Sequence, residues 1–146
     1  MTEIKQLLNK EKEEGFLFVK KVYLENRDES YTDEGIATFF SFVDNSKITR
    51  TFKVYGIFDD EELKGVIATD RNKRHINLFF VQKNCQGKGL GKLLMNSLLK
   101  DNKNSYITVN SSRYAVPIYK NFGFEATSEE QQKDGIIFTP MKKILE

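Results

Sequence analysis

The sequence predicts an α/β fold (an α+β arrangement) in which a mixed sheet carries helices on its faces. Two changes of pattern along the chain predict it. Apolar residues keep helical spacing before and after a central stretch, residues 51–81, in which short runs of β-branched and aromatic residues alternate with charged turns. After this stretch the predicted elements follow as helix, strand, helix and strand, which favours a sheet covered by helices.

The length of the chain indicates a single domain, and its net charge argues against a nucleic-acid-binding protein. A chain of 146 residues fits a single domain, residues 1–146, and folding should bury roughly two-thirds of the surface that the unfolded chain exposes. The 23 Lys and Arg residues nearly balance the 21 Asp and Glu residues, so the net charge is only +2. Such a small charge argues against nucleic acid as the main partner.

Cysteine usage and hydropathy indicate the compartment. Cys85 is the only cysteine, so we expect no intramolecular disulfide and no zinc site with cysteine spacing. The N-terminal segment is charged throughout, and no later run approaches the ~18 apolar residues of a membrane span. We therefore expect a cytoplasmic protein with no metal and no membrane partner.

Two helices are predicted ahead of the central strands. Residues 2–7 are predicted as a short strand, and residues 9–27 as a helix with Tyr23 on its apolar face. A second helix begins after Thr32, which supplies an N-cap followed by acidic residues. Its apolar face has the spacing i, i+3, i+4, i+7 and consists of Ile36, Phe39, Phe40 and Val43.

The middle of the chain is predicted as an antiparallel meander. Three short strands over residues 51–58, 63–69 and 75–81 are separated by one acidic and one largely basic turn. The remaining predictions are a helix over 90–98, a strand over 106–109, a short helix over 115–122 and a closing strand over 135–141.

A glycine-rich turn lies between the last strand of the meander and the next helix. The start of a helix exposes unpaired N–H groups and carries the positive end of the helix dipole, so it attracts anions. Glycines let the backbone approach such an anion closely. The turn therefore predicts a phosphate-binding loop, with a plain tight connection as the alternative; its residues are Gln86, Gly87, Lys88, Gly89, Leu90, Gly91 and Lys92.

Two well-known phosphate loops do not fit this spacing. Walker A requires a glycine where the chain has Gln86 and a hydroxyl residue where it has Leu93. The dinucleotide fingerprint requires Gly-x-Gly-x-x-Gly in a first strand-to-helix turn, whereas these glycines alternate and lie in mid-chain.

The pattern that fits is Gln/Arg-x-x-Gly-x-Gly/Ala, here Gln86-x-x-Gly89-x-Gly91, and the chain resembles the GNAT superfamily of acetyl-CoA dependent N-acetyltransferases. Residues 105–112 are similar to the next strand of that family, and residues 115–124 to its closing helix, which ends Tyr-x-x-x-Gly-Phe. The resemblance implies a mostly antiparallel central sheet with helices on both faces, splayed between the fourth and fifth strands.

The resemblance also implies how acetyl-CoA, the co-substrate, is bound. Its pyrophosphate would lie on the glycine loop, and its pantetheine arm would pair with the strand backbone at Phe79, Phe80 and Val81. Ser112 stands where many relatives have a cofactor-contacting Asn. It takes over this contact or caps the helix that begins near Arg113, and Asn110 takes it over if it shares the inward face. Arg113 and Lys120 are candidates for the ribose phosphate.

Two residues are candidates for the chemistry. Tyr119 matches the Tyr of the family pattern and is expected to protonate the departing thiolate, because a phenol pKa of ~10 is close to a thiol pKa of ~8.5. The alternative is a purely structural core role on the apolar face of its helix. His75, the only histidine, is the candidate base for the amine and shares a strand face with Phe79 and Val81 on strict alternation. The alternative is an ordinary surface histidine.

The resemblance implies an enzyme in which a primary amine attacks acetyl-CoA directly in a ternary complex. The acceptor is a small-molecule amine or a protein amine, and the protein is a monomer or a homodimer. The alternative is a non-catalytic acyl-CoA-binding sensor or scaffold module, which would tolerate Tyr119→Phe. The N-terminal helices would form the acceptor side, with Phe16, Tyr23, Tyr31 and Phe40.

Overall fold

An eight-stranded sheet forms the centre of the structure, a computed structural model that describes residues 1–146. The strand order is β1-β2-β3-β4-β5-β8-β6, with β7 paired to β8, and every neighbouring pair is antiparallel except β4 and β5. This confirms the predicted mixed, mostly antiparallel sheet. The strands are β1 Thr2–Gln6, β2 Lys53–Asp59, β3 Glu62–Thr69, β4 His75–Val81, β5 Tyr106–Ser111, β6 Glu125–Ala126, β7 Gln131–Lys133 and β8 Ile136–Ile144.

Helices cover both faces of this sheet, as predicted. Val19 and Val43 from the first two helices pack with Leu78 of β4 in one buried cluster. Leu94 and Tyr119 from the later helices pack with Ile76 in another. The helices are α1 Lys10–Glu25, α2 Asp33–Asp44, α3 Ser46–Thr49, α4 Leu90–Leu99 and α5 Val116–Asn121. The sequence did not predict α3, β6 or β7, which are all short.

The start of α2 also anchors the turn between β7 and β8. The Gly35 N–H donates to the Thr32 hydroxyl oxygen at 3.0 Å, which confirms the predicted N-cap. The Thr32 hydroxyl donates to the Gly135 carbonyl at 3.2 Å, and the Thr38 hydroxyl donates to the Asp134 carbonyl at 2.7 Å. A Cβ on Gly35 would lie 2.4 Å from the Gly135 carbonyl oxygen, so only glycine allows this approach.

The sheet opens between β4 and β5. Their parallel pairing consists of His75 with Thr108 and Ile76 with Val109, and it stops there. At this point the β3–β4 register also shifts, which leaves Asn77 without an opposite residue and forms a β-bulge. The predicted splay between the fourth and fifth strands is therefore confirmed. No helix of the chain is long and apolar enough to cross a membrane.

Candidate active site

A cavity of about 790 Å³ occupies the opening between β4 and β5. It has two halves because the opening connects the two faces of the sheet. The cofactor half is lined by the glycine loop, by the end of β5 and by α5. The acceptor half is lined by α1, by α2 with the loop that precedes it, and by the turn between β7 and β8.

The backbone of β4 faces this cavity where β5 has moved away. The Gln82 N–H donates to the Lys64 carbonyl at 2.8 Å, so in an antiparallel ladder the alternate residues at this end of β4 bond to β3. Phe79 and Val81 consequently direct their N–H and C=O groups toward the opening. This is the edge to which an extended ligand could add as a strand.

The side chain of Gln86 already uses one of these groups. Its Nε2 donates to the Val81 carbonyl at 3.0 Å, and its Oε1 accepts a hydrogen bond from the Tyr114 hydroxyl at 2.5 Å. Gln86 therefore bridges the end of β4 and the segment that leads into α5, across the mouth of the opening. Both the Gln86 side chain and the Val81 carbonyl have protein partners here, which the sequence did not indicate.

The loop glycines have two different roles. Gly87 and Gly89 have φ values of 85° and 83°, in the left-handed region, and a Cβ at either position would meet nothing within 4 Å. At Gly91, in contrast, a Cβ would lie 3.4 Å from the Phe79 ring, which is an ordinary van der Waals distance. Gly87 and Gly89 thus shape an open turn, whereas a small side chain at position 91 would make an ordinary contact with the Phe79 ring.

The first turn of α4 presents free N–H groups above this turn. The first helical bond runs from the Leu93 N–H to the Gly89 carbonyl, so the N–H groups of residues 90–92 have no helical acceptor. The Leu90 side chain is buried in the core and fixes the helix start, whereas Lys92 lines the cavity and Lys88 is exposed. These features suit a phosphate group.

Tyr119 belongs both to the core and to the cavity lining. It is 4 % exposed, and its ring packs edge-on against Phe124 at 5.3 Å and lies 6.0 Å from the Phe79 ring. Burial raises the pKa of the Tyr119 hydroxyl, so the group is protonated at neutral pH. The hydroxyl therefore carries the proton that a donor needs in the cavity that it lines, but burial makes it a weaker acid than a free phenol and widens the gap to the thiol pKa.

His75 is half-buried at the start of β4. Its Nδ1 lies 2.7 Å from the Thr108 hydroxyl oxygen, and the Thr108 hydroxyl donates to the Arg74 carbonyl at 3.4 Å. The tautomer that satisfies both contacts has the proton on Nδ1 and a free lone pair on Nε2. Burial lowers the pKa of His75 and outweighs the opposing effect of Asp70, so the ring is neutral at neutral pH.

The bulge at Asn77 corrects the predicted face of His75. Ile76 packs with the α4 and α5 cluster, as Phe79 and Val81 do. Strict alternation along β4 would place Ile76 on the face of the sheet opposite to Phe79 and Val81. His75 therefore lies on the opposite face, toward α1 and α2, and the expectation that it shares a face with Phe79 and Val81 is wrong. The extra residue in β4 moves the candidate base to the acceptor side of the sheet.

Ser112 holds the turn that leads into α5. Its hydroxyl oxygen accepts from the Ala115 N–H at 3.2 Å within this turn, and the residue also lines the cavity; the capping alternative is wrong, because α5 begins at Val116 and its N-cap residue is Ala115. Asn110 lines the cavity too. Arg113 forms two hydrogen bonds to the Glu130 carboxylate, at 2.9 and 2.7 Å, so its guanidinium group is already paired, while Lys120 is exposed.

The acceptor half is more aromatic than the sequence indicated. Tyr23 and Tyr31 line it as expected, but Phe16 and Phe40 are not part of the lining. Phe39 was predicted only as part of an apolar helix face, and Phe80 only as a strand residue whose backbone pairs with the cofactor, yet both side chains line this half. The backbone prediction for Phe80 is wrong, because its pairing with Val66 directs its N–H and C=O groups toward β3. No group of three or more His, Cys, Asp or Glu side chains is arranged as metal ligands would be.

Comparison with known families agrees with this geometry. Residues 27–145 match the family model described as an acetyltransferase (GNAT) domain. The chain belongs to the GNAT acetyltransferase family. The resemblance carried by the glycine loop and by the Tyr-x-x-x-Gly-Phe segment is confirmed, and GNAT acetyltransferases use acetyl-CoA.

Solved GNAT structures share the fold over the whole chain. A GCN5-related N-acetyltransferase from Rhodopseudomonas palustris aligns with a TM-score of 0.83 and 16% identity, over 99% of this chain and 96% of that one. The PaiA N-acetyltransferase from Thermoplasma acidophilum, solved in complex with coenzyme A, aligns with a TM-score of 0.74 and 18% identity, over 99% of each chain. At these identities the similarity shows the fold.

The curated relatives match a shorter part of the chain. A probable spermine N(1)-acetyltransferase of Bacillus subtilis subsp. natto is 31% identical over 88 residues, 53% of this chain and 53% of the relative. The GNAT chain thus spans about half the length of the curated relatives it matches.

Proposed function

We propose that this GNAT domain is an N-acetyltransferase that transfers the acetyl group of acetyl-CoA to a primary amine. One observation carries the proposal: a single cavity passes through the opening between β4 and β5 and is lined by the glycine loop, Tyr119 and His75. The acid candidate is on the side of α4 and α5, and the base candidate is on the side of α1 and α2. An amine and a thioester can therefore meet from opposite faces of the sheet.

The residues of the cofactor half fit coenzyme A. The pyrophosphate would accept hydrogen bonds from the N–H groups of residues 90–92 in the first turn of α4, next to the Lys92 ammonium. The pantetheine amides would pair with the open β4 edge at Phe79 and Val81. Because the Val81 carbonyl already accepts from Gln86, Phe79 and the Val81 N–H offer the remaining groups.

Proton transfer can be assigned to the two candidate residues. As the new C–N bond forms, His75 Nε2 would accept the proton that leaves the amine, directly or through water. As the C–S bond breaks, the Tyr119 hydroxyl would donate a proton to the sulfur, and the products are an N-acetyl amine and free coenzyme A. Holding both reactants in one cavity would supply much of the acceleration.

A small-molecule amine is the favoured acceptor. The turn between β7 and β8 is docked on α2 by Thr32 and Thr38 and bounds the acceptor half on that side. This bounded shape suits a small amine better than a side chain of a folded protein. A cytoplasmic location and a monomeric or homodimeric state remain predictions from the sequence.

The test is release of thiol from acetyl-CoA in the presence of a panel of primary amines. We expect amine-dependent release by the wild type. Tyr119→Phe should lower kcat by about 10² to 10⁴ and leave the affinity for coenzyme A nearly intact, because only a proton donor is lost. Tyr106→Phe is the matched control, because Tyr106 is an exposed tyrosine of β5. This variant should change neither kcat nor the affinity for coenzyme A. Coenzyme A binding without thiol release for any amine would instead indicate a non-catalytic module.

A further inference from the structure

The acceptor half of the cavity carries an aromatic wall, our name for the four lining side chains Tyr23, Tyr31, Phe39 and Phe80. The Tyr23 ring stacks on the Phe39 ring with centroids 3.9 Å apart. Tyr31 lies 4.9 Å from Tyr23, and Phe80 meets Phe39 edge-on at 5.8 Å. The wall is therefore a continuous apolar surface that fits an aromatic or apolar ligand body.

The same half contains little negative charge. Among all residues that line the cavity, Asp134 is the only carboxylate, and it lies on the exposed turn next to Lys133. The lining contains two lysines, Lys133 on this turn and Lys92 in the cofactor half of the cavity. A polyamine would bring several ammonium groups into a site that offers one carboxylate, and unpaired charges are costly to remove from water.

One uncharged acceptor is available for a single amine. Asn77 lines the cavity at the bulge, and its buried Oδ1 has no hydrogen-bond partner in the protein. A buried oxygen without a partner is unfavourable, and a rotation of the Asn77 side chain toward the cavity that it lines would let an amine N–H satisfy it. A single ammonium group next to aromatic faces also gains from cation–π attraction.

We propose that the acceptor is a primary amine with one ammonium group on an aromatic or apolar body, and that the site discriminates against polyamines. The inference rests on the proposed function and names the substrate class of that same site. It sets this chain apart from the relatives that are named as spermine acetyltransferases. Acetylation would convert the amine to an amide and release coenzyme A as the thiol.

Calorimetry on the full chain saturated with coenzyme A tests the preference, with phenethylamine and spermidine as probes. We expect phenethylamine to bind at least about tenfold more tightly, because its phenyl group buries apolar surface against the wall. Equal or tighter binding of spermidine would overturn the inference. Since coenzyme A carries no acetyl group, this measurement is independent of the thiol-release assay, and failure of either can be recognised separately.

Two neighbouring phenylalanines of α2 provide a matched pair of variants. Phe39→Leu removes a ring of the wall and should weaken phenethylamine binding about three- to tenfold, with little effect on coenzyme A. Phe40→Leu changes a ring that lies outside the cavity lining and reaches the wall only through Tyr23, 6.4 Å away, so it should weaken phenethylamine binding much less than Phe39→Leu and leave the affinity for coenzyme A unchanged. Equal weakening by the two variants, or no weakening by Phe39→Leu, would contradict the proposed role of the wall.

Discussion

The two ring nitrogens of His75 have different environments, because Nδ1 is hydrogen-bonded to Thr108 and Nε2 is not. The Thr108 hydroxyl lies 2.7 Å from Nδ1 and 3.4 Å from the Arg74 carbonyl, and the tautomer that satisfies both contacts leaves the lone pair of Nε2 available. Burial lowers the pKa of His75, since the charged form loses solvation. An ordinary surface histidine is also largely neutral at physiological pH, so it is the half-buried position of His75 in the cavity lining that favours the catalytic assignment.

This environment predicts a pH dependence. The neutral form of His75 is lost as the pH falls through its lowered pKa, so the His75 contribution to kcat/KM should persist from pH 7 through the ordinary histidine value of ~6.5 and be lost only at lower pH. The measurement is the ratio of kcat/KM for wild type and His75→Gln across pH with one amine, because titration of the amine itself cancels in that ratio. A ratio that does not fall at any pH at which both proteins remain folded would assign the base elsewhere.

At the scale of elements, the glycine loop shows why identical residues are not equivalent. Gly89 has a positive φ and caps α4 in the left-handed region, with open space above it. Gly91 is already inside the helix and faces the Phe79 ring. A side chain at position 89 would therefore project over the proposed phosphate position, whereas one at position 91 would contact the Phe79 ring of β4.

Substituting Gly89 separates charge from backbone strain. Gly89→Glu should abolish coenzyme A binding, because a carboxylate would repel the pyrophosphate at the start of α4. Gly89→Ala shares the unfavourable φ, which costs about 1 kcal/mol, and should weaken binding much less. Calorimetry with coenzyme A measures both variants, and circular dichroism confirms that each is folded. Unchanged affinity in the Glu variant would exclude the loop as the phosphate site.

Elements with local signals could be predicted from the sequence. The bounds of β4 agree with the predicted 75–81, and the N-cap at Thr32 was visible because capping depends on neighbouring residues. The bulge at Asn77 could not be predicted, because it depends on the register with β3. The Gln86 bridge and the role of Phe39 were missed for a similar reason, since both depend on segments that meet only after folding.

At the scale of the whole molecule, the sheet consists of two blocks with a narrow connection. Strands β1 to β4 form one block and β5 to β8 form the other; strand pairing joins them only through two residue pairs at the start of β4, while the α4 and α5 cluster packs on strands of both blocks. Beyond these pairs, Gln86 connects the end of β4 to Tyr114 ahead of α5. A ligand that occupies the opening would contact both blocks, so its binding energy would contribute to holding them together.

Hydrogen exchange with and without coenzyme A tests this picture of the molecule. At a ligand concentration about 100 times Kd, binding adds about 2.7 kcal/mol to the free energy of unfolding. We expect slower exchange at the amides of Phe79 and Val81, in the glycine loop, and also in β5 and α5, because opening of either block would require release of the ligand. The strand β1 at the far edge is the internal control and should change only through global stabilisation. Protection confined to the glycine loop would show that the ligand does not connect the blocks, and that the opening between β4 and β5 is not where its pantetheine arm lies.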